Sequence, residues 1–273
     1  MKTARIWLVL VAMLWATPSW SAEQEADAGS QAAPGGEAAH WDYDGDEGPA
    51  RWGQLSAEYS ACAKGRSQSP VDLPAVKLDD LDVATLDYNP ADFEAHPDEH
   101  PEDVVNNGHT IHVEIEDGAS LIIGDERFQL VQLHFHAPSE HTVAGRTLPM
   151  EVHMVHRSDS GIFAVVAVLI AEGRHNPAYD PIWEHLPKAV GARQSLADLT
   201  LNLDDLLPKR WLAFRYLGSM TTPPCSEGVR WFVLAQPVEL SAEQIAEFAA
   251  IYDHNNRPTQ PLRGRSLVLE KVE

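Results

Sequence analysis

The segment LVQLHFHAPSEHTVAGRTLPMEVHMVHR, residues 130–157, places five of the chain's 13 histidines among alternating apolar side chains. This alternation predicts strands over 128–136 and 150–157, each with one apolar face. The 13 residues between the two strands contain two prolines and a glycine. They are sufficient for a connection that returns the chain antiparallel beside itself. We therefore expect these two strands to be antiparallel neighbours.

Three of these histidines are expected to converge. Side chains two residues apart on a strand point to the same face of a sheet, so His134 and His136 lie together. His153, on the second strand, can join them, whereas His156 is three residues further on and faces the other way; His141 also falls outside the set. Three imidazoles leave a fourth tetrahedral position open, as in catalytic zinc sites. The pattern predicts that His134, His136 and His153 bind Zn²⁺.

Two polar residues accompany the predicted ligands. Gln132 and Glu151 each lie two residues before a ligand, on the same face. Metal-bound histidines usually donate their second ring N–H to such a group, whereas histidines that only pack a core do not require one. The cupin barrel is an alternative, because HFHAPSE matches the H-x-H-x-x-x-E opening of its metal motif. Against it, no P-x-G stands near His153, and Arg157 occupies the position of the expected asparagine.

The rest of the chain predicts a single, mainly β (α+β) domain with a large sheet and a few peripheral helices. Ser241 and Gln244 form a capping box for a helix that continues to Tyr252, and Pro181 can begin a short helix over 181–188. We find no internal repeat and no glycine-rich phosphate loop in the sequence. Further strands are predicted over 109–116, 162–170 and 229–235.

The N-terminus has the pattern of a secretory signal. Lys2 and Arg5 precede an apolar run over 6–15, and small residues lead to a predicted cut after Ser21. This run is too short to span a bilayer, so we expect a periplasmic or secreted protein without membrane insertion. Residues 22–39 lack aromatic side chains and predict a disordered acidic leader. The catalytic domain is then expected over 40–273.

Net charge limits the classes of partner that the protein can bind, and the two cysteines bear on its compartment. The formal net charge of −21 at pH 7 argues against nucleic acid and anionic membranes as partners. The acidic segment 94–103 is interpreted as a solvated loop. Cys62 and Cys225 are the only cysteines, and export to an oxidising compartment favours a disulfide over two buried thiols. In loop-entropy models, closing so long a loop stabilises the fold by about 5 kcal/mol at most.

Seven segments resemble the α-class carbonic anhydrases, in order, from His40 to the C-terminus. The resemblance implies a central, mostly antiparallel, ten-stranded twisted sheet with short surface helices. It also implies reversible hydration of carbon dioxide to bicarbonate and a proton through a zinc-bound hydroxide, with sulfonamides and anions as inhibitors at the zinc. The segments are HWDYDGDEGPARWGQL, KGRSQSPVDL, VVNNGHTIHV, QLHFHAPSEHTV, MEVHMVHR, GSMTTPPCSEGVRWFVL and NNRPTQPLRGR.

The resemblance implies roles for individual residues. Thr221 accepts a hydrogen bond from the zinc hydroxide and donates one to Glu140, which orients the nucleophile. The backbone carbonyl of Asn255 accepts the N–H of His136. His109 is the proton shuttle. The residues that form the apolar substrate pocket are Val155, Val165, Met220, Thr222, Val229 and Trp231.

Further implications concern water, loops and assembly. Tyr43 and Asn107 order the water chain to His109, and His112 stands where relatives often have Asn or Gln. His109 also suits an exposed turn, and alternation puts it on the opposite face from His112, so periodicity leaves its position open. Ser69–Pro70 and Pro223–Pro224 are expected to be cis, as in relatives, with the disulfide tying the threonine loop to Cys62. Dimerisation occurs among bacterial relatives, but no surface patch readable in this sequence requires a homodimer.

The resemblance leaves two function classes open, an active enzyme and a binding protein that has lost catalysis. Silent members of the family typically lack one or more zinc histidines. All three are present here, together with the other catalytic residues. An exported zinc carbonic anhydrase is therefore the predicted function.

Overall fold

The computed structural model describes residues 39–76, 91–94, 101–115, 120–196 and 201–271. The predicted signal and all of the predicted leader except Ala39 lie outside these residues. Ala39 is bound to the domain, because its carbonyl accepts a hydrogen bond from the Tyr59 hydroxyl at 2.8 Å. The interpretation of 94–103 as a loop is wrong at both ends: Glu94 ends one strand and residues 101–103 begin the next, because their backbone pairs with neighbouring strands. The centre of the segment, 95–100, lies outside the described residues.

The described part of the chain contains thirteen strands and four short α-helices. The strands are β1 (Asp72–Leu73), β2 (Ala91–Glu94), β3 (Pro101–Asn106), β4 (Ile111–Ile115), β5 (Ser120–Ile123), β6 (Glu126–His136), β7 (Thr142–Val143), β8 (Met150–Ser158), β9 (Phe163–Glu172), β10 (Arg193–Ser195), β11 (Leu212–Ser219), β12 (Glu227–Leu240) and β13 (Val268–Lys271). The helices are α1 (Trp52–Leu55), α2 (Ser60–Lys64), α3 (Asp180–Trp183) and α4 (Ala242–Ala249).

Eleven of the described strands form one sheet, in the order β10-β3-β4-β6-β8-β9-β12-β11-β13, with β5 paired to β6 and β2 to β5. Within this sheet only β9 and β12 are parallel. The prediction of a large, mostly antiparallel sheet with short peripheral helices is confirmed. The sheet as described has eleven strands rather than ten. Strands β1 and β7 form a separate parallel pair.

The centre of the sheet is buried on both faces. Leu133, Phe135 and Met154 belong to the larger apolar cluster on one face, and Val155, Val165 and Trp231 to a smaller cluster on the other. Burial on both faces explains why β9 is an almost continuous apolar run rather than an alternating one. His134, His136 and His153 lie on the face of the smaller cluster.

Helix and turn chemistry follow the local sequence. The Ser241 hydroxyl accepts from Gln244 N and the Gln244 side chain accepts from Ser241 N, so the predicted capping box is confirmed. The helix ends at Ala249, short of the predicted Tyr252. β4 begins at Ile111, which leaves His109 in the preceding turn. Gly108 has φ +95° there, a conformation that favours glycine.

Candidate metal centre

Strand register aligns the histidines across the sheet. On the antiparallel pair β6 and β8, His134 lies opposite His153 and His136 lies opposite Glu151. On the other side of β6, His112 lies opposite His134. The nitrogens of His134, His136 and His153 that could bind a metal all lie within 4.8 Å of one another. The predicted antiparallel neighbourhood of the two strands is thus confirmed, and the three rings meet on one face.

Hydrogen bonds determine which nitrogen of each imidazole is free. His134 Nδ1 lies 2.9 Å from Gln132 Oε1, His136 Nδ1 lies 2.6 Å from the carbonyl oxygen of Asn255, and His153 Nε2 lies 2.8 Å from Glu151 Oε1. Amide, carbonyl and carboxylate oxygens accept, so these ring nitrogens carry the protons. The opposite nitrogens keep their lone pairs, and His136 Nε2 is buried without a hydrogen-bond partner among the described residues. Such a donor set fits Zn²⁺.

Burial favours the neutral, metal-binding form of these imidazoles. Burial lowers the pKa of His134 well below its usual value, and the neighbouring His136 and His153 lower it further. Burial also lowers the pKa of His136, although Glu140 acts in the opposite direction. Histidine must be neutral to bind a metal, so the site favours metal binding over protonation at neutral pH.

The carboxylate of Glu151 is fully enclosed by donors. Its Oε2 accepts from the backbone N–H groups of Glu140 and His141, at 2.9 and 2.8 Å. Its Oε1 accepts from His141 Nδ1 at 2.6 Å and from His153 Nε2. Burial raises the pKa of Glu151, but His141 and His153 outweigh burial and hold it well below its usual range. Glu151 is therefore an ionised acceptor that fixes the orientation of His153.

His141 lies behind the metal cluster rather than in it. It forms a second close group with Glu151 and His153, but this closeness is accounted for by the hydrogen bonds to Glu151. The other ring nitrogen, Nε2, lies 2.7 Å from the Tyr216 hydroxyl. Alternation could not assign this histidine, because it lies between the strands and not on one.

Glu140 points one oxygen toward the imidazoles. Its Oε1 accepts from the backbone N–H of Arg257 at 2.8 Å. Its Oε2 lies 3.7 Å from His136 Nε2 and 3.9 Å from His153 Nδ1, and has no hydrogen-bond partner in the described part of the chain. The expected hydrogen bond from Thr221 to Glu140 is therefore absent among the described residues, because Oε1 is bound to Arg257 and Oε2 faces the imidazole cluster.

Comparison with known proteins identifies the family. Residues 47–271 match the sequence pattern of the eukaryotic-type carbonic anhydrase family. The chain belongs to the α-carbonic anhydrase family. A carbonic anhydrase of Pectobacterium carotovorum is 39% identical over 230 residues, covering 84% of this chain and 90% of that one. A carbonic anhydrase of Nostoc sp. is 38% identical over 238 residues, covering 85% of this chain and 86% of that one.

A solved structure supports the same assignment. The α-carbonic anhydrase from Thermovibrio ammonificans, in complex with the inhibitor sulfanilamide, is 41% identical, with a TM-score of 0.76 over 87% of this chain and 100% of that one. As a member of this family, the protein is an enzyme of carbon dioxide hydration. α-Carbonic anhydrases are zinc enzymes in general, and the three-histidine group is a site able to bind the metal.

An apolar wall stands beside the imidazoles of this carbonic anhydrase. Val155, Val165, Val229 and Trp231 are buried in one cluster, with Met220 packed against it. The Trp231 ring lies 4.9 Å from that of His153, centroid to centroid, and Trp231 Nε1 donates to the carbonyl of Ser219 at 2.9 Å. Thr221 is buried and Thr222 is half-buried on the loop that follows Met220.

His109 is half-buried at the turn before β4. Its ring stacks on Trp41, with centroids 3.8 Å apart and an interplanar angle of 9°, and its Nε2 lies 3.0 Å from the Trp41 carbonyl oxygen. Asn107 Oδ1 accepts from His109 N and Thr110 N, at 2.9 Å each, so this side chain shapes the turn. Trp41 was not predicted as a site residue, although HWDY begins one of the segments that carry the family resemblance.

The other two predicted water-ordering residues are Tyr43, in the N-terminal segment, and His112, on β4. Tyr43 packs edge-to-face on Trp41, and burial raises its pKa well above the usual value, so the hydroxyl stays protonated. His112 is buried on β4, with Nε2 3.4 Å from Glu114 Oε1.

The predicted disulfide between Cys62 and Cys225 is confirmed, with Cα atoms 5.0 Å apart and a sequence separation of 163. The expected cis peptides Ser69–Pro70 and Pro223–Pro224 are present, together with Ala137–Pro138. Within the described ranges, no helix combines the length and apolar character needed to cross a membrane.

Proposed function

We propose that this protein catalyses the reversible hydration of carbon dioxide to bicarbonate and a proton, with Zn²⁺ held by His134, His136 and His153. One observation carries the proposal. Each imidazole donates one N–H to a separate oxygen acceptor, and the three remaining nitrogens converge within 4.8 Å. Zinc at such a site makes water a nucleophile at neutral pH by lowering its pKa to about 7.

The residues around the cluster prepare substrate and nucleophile. The wall of Val155, Val165, Val229 and Trp231, with Met220 packed against it, suits an apolar gas. We assign Thr222, half-buried on the loop after Met220, to the same substrate pocket. Glu140 Oε2 is a buried acceptor in need of a donor. Among the described residues that donor is not Thr221; we assign to the buried Thr221 hydroxyl only the acceptance of a hydrogen bond from the nucleophilic oxygen, which would orient it toward carbon dioxide.

His109 is assigned to proton export. Each hydration releases a proton, and histidine is the side chain best suited to accept and release protons near neutral pH. The stacked position on Trp41 keeps the ring half-exposed, where buffer can reach it. Water bridging the cluster and His109 is assigned to Tyr43, Asn107 and His112.

The proposal is tested by stopped-flow hydration with zinc measured on the same samples. We expect one zinc per chain and a loss of both zinc and activity in His134→Ala and in His153→Ala. His254→Ala is the control, because this histidine side chain is 72% exposed and belongs to neither cluster. Activity that survives both ligand substitutions would rule out the assigned site. A chain that binds zinc but hydrates no carbon dioxide would instead be a non-catalytic family member.

Inhibitors and compartment complete the proposal. We propose that sulfonamides and anions inhibit at the zinc, as the sulfanilamide complex of the Thermovibrio ammonificans enzyme suggests. We also propose a periplasmic or secreted location, which the disulfide supports. N-terminal sequencing of the mature protein checks the cut after Ser21.

The homodimer remains a prediction, and light scattering of the purified protein checks it.

A further inference from the structure

Asn255 connects three parts of the active site. It is 2% exposed, and its backbone carbonyl accepts from His136 Nδ1. Its side-chain amide makes three further bonds. Nδ2 donates to the carbonyls of His109 and Phe135, at 3.1 and 2.9 Å, and Oδ1 accepts from the backbone N–H of Ala137 at 2.8 Å. One residue thus holds the shuttle turn, the end of the strand that carries two ligands, and one ligand.

The partners fix the orientation of this amide. Two carbonyl oxygens face Nδ2 and one N–H faces Oδ1, so rotating the amide by half a turn would oppose like groups at all three contacts. Both amide hydrogens and one oxygen lone pair are used. The side chain therefore joins the His109 turn to the end of β6 in a fixed orientation.

The ring of His109 depends on its backbone for position. The ring contacts Trp41, from the N-terminal segment, while the carbonyl of His109 is held by Asn255, from the segment after α4. Tyr252, three residues before Asn255, donates from its hydroxyl to Asn106 Oδ1 at the start of the same turn. The shuttle turn is thus held from both sides. Two groups join it to the end of β6, the Asn255 amide and the Thr110 hydroxyl, and both donate to the Phe135 carbonyl.

We propose that the side-chain amide of Asn255 is a positioning group that sets the distance and direction between the proton shuttle His109 and the metal ligands on β6. This inference rests on the proposed function. It goes beyond the role of the Asn255 carbonyl toward His136, because the carbonyl remains in any side-chain variant. The amide should therefore affect proton export more than the hydration step.

The experiment compares Asn255→Ala and Asn255→Ser with Asn256→Ala in the full chain. Asn256 is a matched control, because it is the adjacent asparagine and its amide makes one long bond, 3.4 Å, to the Ser139 carbonyl. We expect Asn255→Ala to lower kcat about tenfold and kcat/KM less than about threefold, with imidazole buffer restoring most of kcat. In a His109→Ala background the same change should lower kcat less than about twofold, because the affected step is already lost. Asn256→Ala should leave both parameters at the wild-type value.

A second readout does not use activity. Stacking on Trp41 shifts the ring protons of His109 in NMR spectra, and His109→Ala assigns these signals. In Asn255→Ala, with and without zinc, we expect that shift to fall by more than about half, because the turn loses its anchor. Unchanged shifts, an equal fall of kcat and kcat/KM, or a full effect in the His109→Ala background would each overturn the proposal.

The outcomes separate this inference from the proposed function. A wild-type chain without zinc-dependent hydration would remove the function, whereas an active wild type with unaffected Asn255 variants would remove only the positioning role. If neither Asn255 variant gives a folded protein with one zinc per chain, Asn255 is needed for folding alone. That outcome would also overturn the proposal.

Discussion

His156 should make the protein sensitive to mild acid. It lies three residues after His153 on β8 and therefore faces the opposite side of the sheet, where it is 1% exposed. Its Nδ1 donates to the carbonyl of Met154 at 3.0 Å. Burial lowers the pKa of His156 from 6.5 to about 4, despite backbone hydrogen bonds that act in the other direction. The folded protein thus resists protonation of this ring, whereas the unfolded chain does not.

The sign and size of this pH effect follow from the difference between the pKa of His156 in the folded protein and in the unfolded chain. Well above pH 6.5 the ring is neutral in both states and does not change the free energy of unfolding. As pH falls below 6.5, the unfolded chain gains a proton that the folded protein refuses, so the free energy of unfolding declines until pH reaches about 4. Between pH 7 and pH 5 the loss from this residue is about 2 kcal/mol, and its limit below pH 4 is about 3 kcal/mol.

The assay is urea unfolding of wild type and His156→Asn at pH 7 and pH 5. Asparagine keeps a donor near the position of Nδ1, and any cavity it leaves lowers stability equally at both pH values. The drop in the free energy of unfolding between the two pH values should be smaller in His156→Asn by about 2 kcal/mol. The same substitution at His254, whose side chain is 72% exposed, is the control for removing an imidazole from solvent. An identical drop in wild type and His156→Asn would refute the reasoning.

Three further changes test the site and its supports. Glu151→Gln should speed the release of zinc to a chelator about 10- to 100-fold, because the acceptor that fixes His153 loses its charge; an unchanged release rate would contradict that role. Replacing Cys62 and Cys225 together by serine should lower the free energy of unfolding by about 2 to 5 kcal/mol in urea titrations; equal stability would mean that the bridge contributes nothing. Burial raises the pKa of Glu227, but bonds from Gln68 and from the backbone of Ser67 outweigh it, so the pKa is lowered. Glu227→Gln should therefore be less stable than wild type at pH 7. The two should converge as pH falls from the ordinary carboxyl value of 4.5 through the lowered pKa of the folded protein; a constant gap would contradict this.

Local periodicity predicted the convergence of the three histidines but not their surroundings. Alternation assigns a face to each residue of a strand, and the short connection from 137 to 149 left β8 little choice but to pair with β6. His134, His136 and His153 follow from these two facts. The acceptors Gln132 and Glu151 follow as well, because each lies on the same strand as its histidine.

The remaining contacts come from far along the chain, where periodicity carries no information. The side chain of Asn255 bonds to His109, 146 residues away, and Arg257 N bonds to Glu140, 117 residues away. These residues lie in an irregular segment after α4 that has no repeating pattern. The family resemblance supplied the carbonyl of Asn255, but its side chain and Arg257 emerge only from the three-dimensional contacts.

The apolar face of the sheet explains why the cluster can be so well defined. Leu133 and Phe135 alternate with His134 and His136 on β6, and they are fully buried in the larger apolar cluster. A slip of one residue in register would turn these two side chains toward the imidazole face and drive both histidines into the core. Burying an apolar side chain stabilises by about 1.5 to 3 kcal/mol, so the slip is strongly disfavoured whether or not a metal is bound. The positions of these histidines are thus set by hydrophobic burial on the opposite face. Asn255, Gln132 and Glu151 then need only choose which nitrogen of each ring carries the proton.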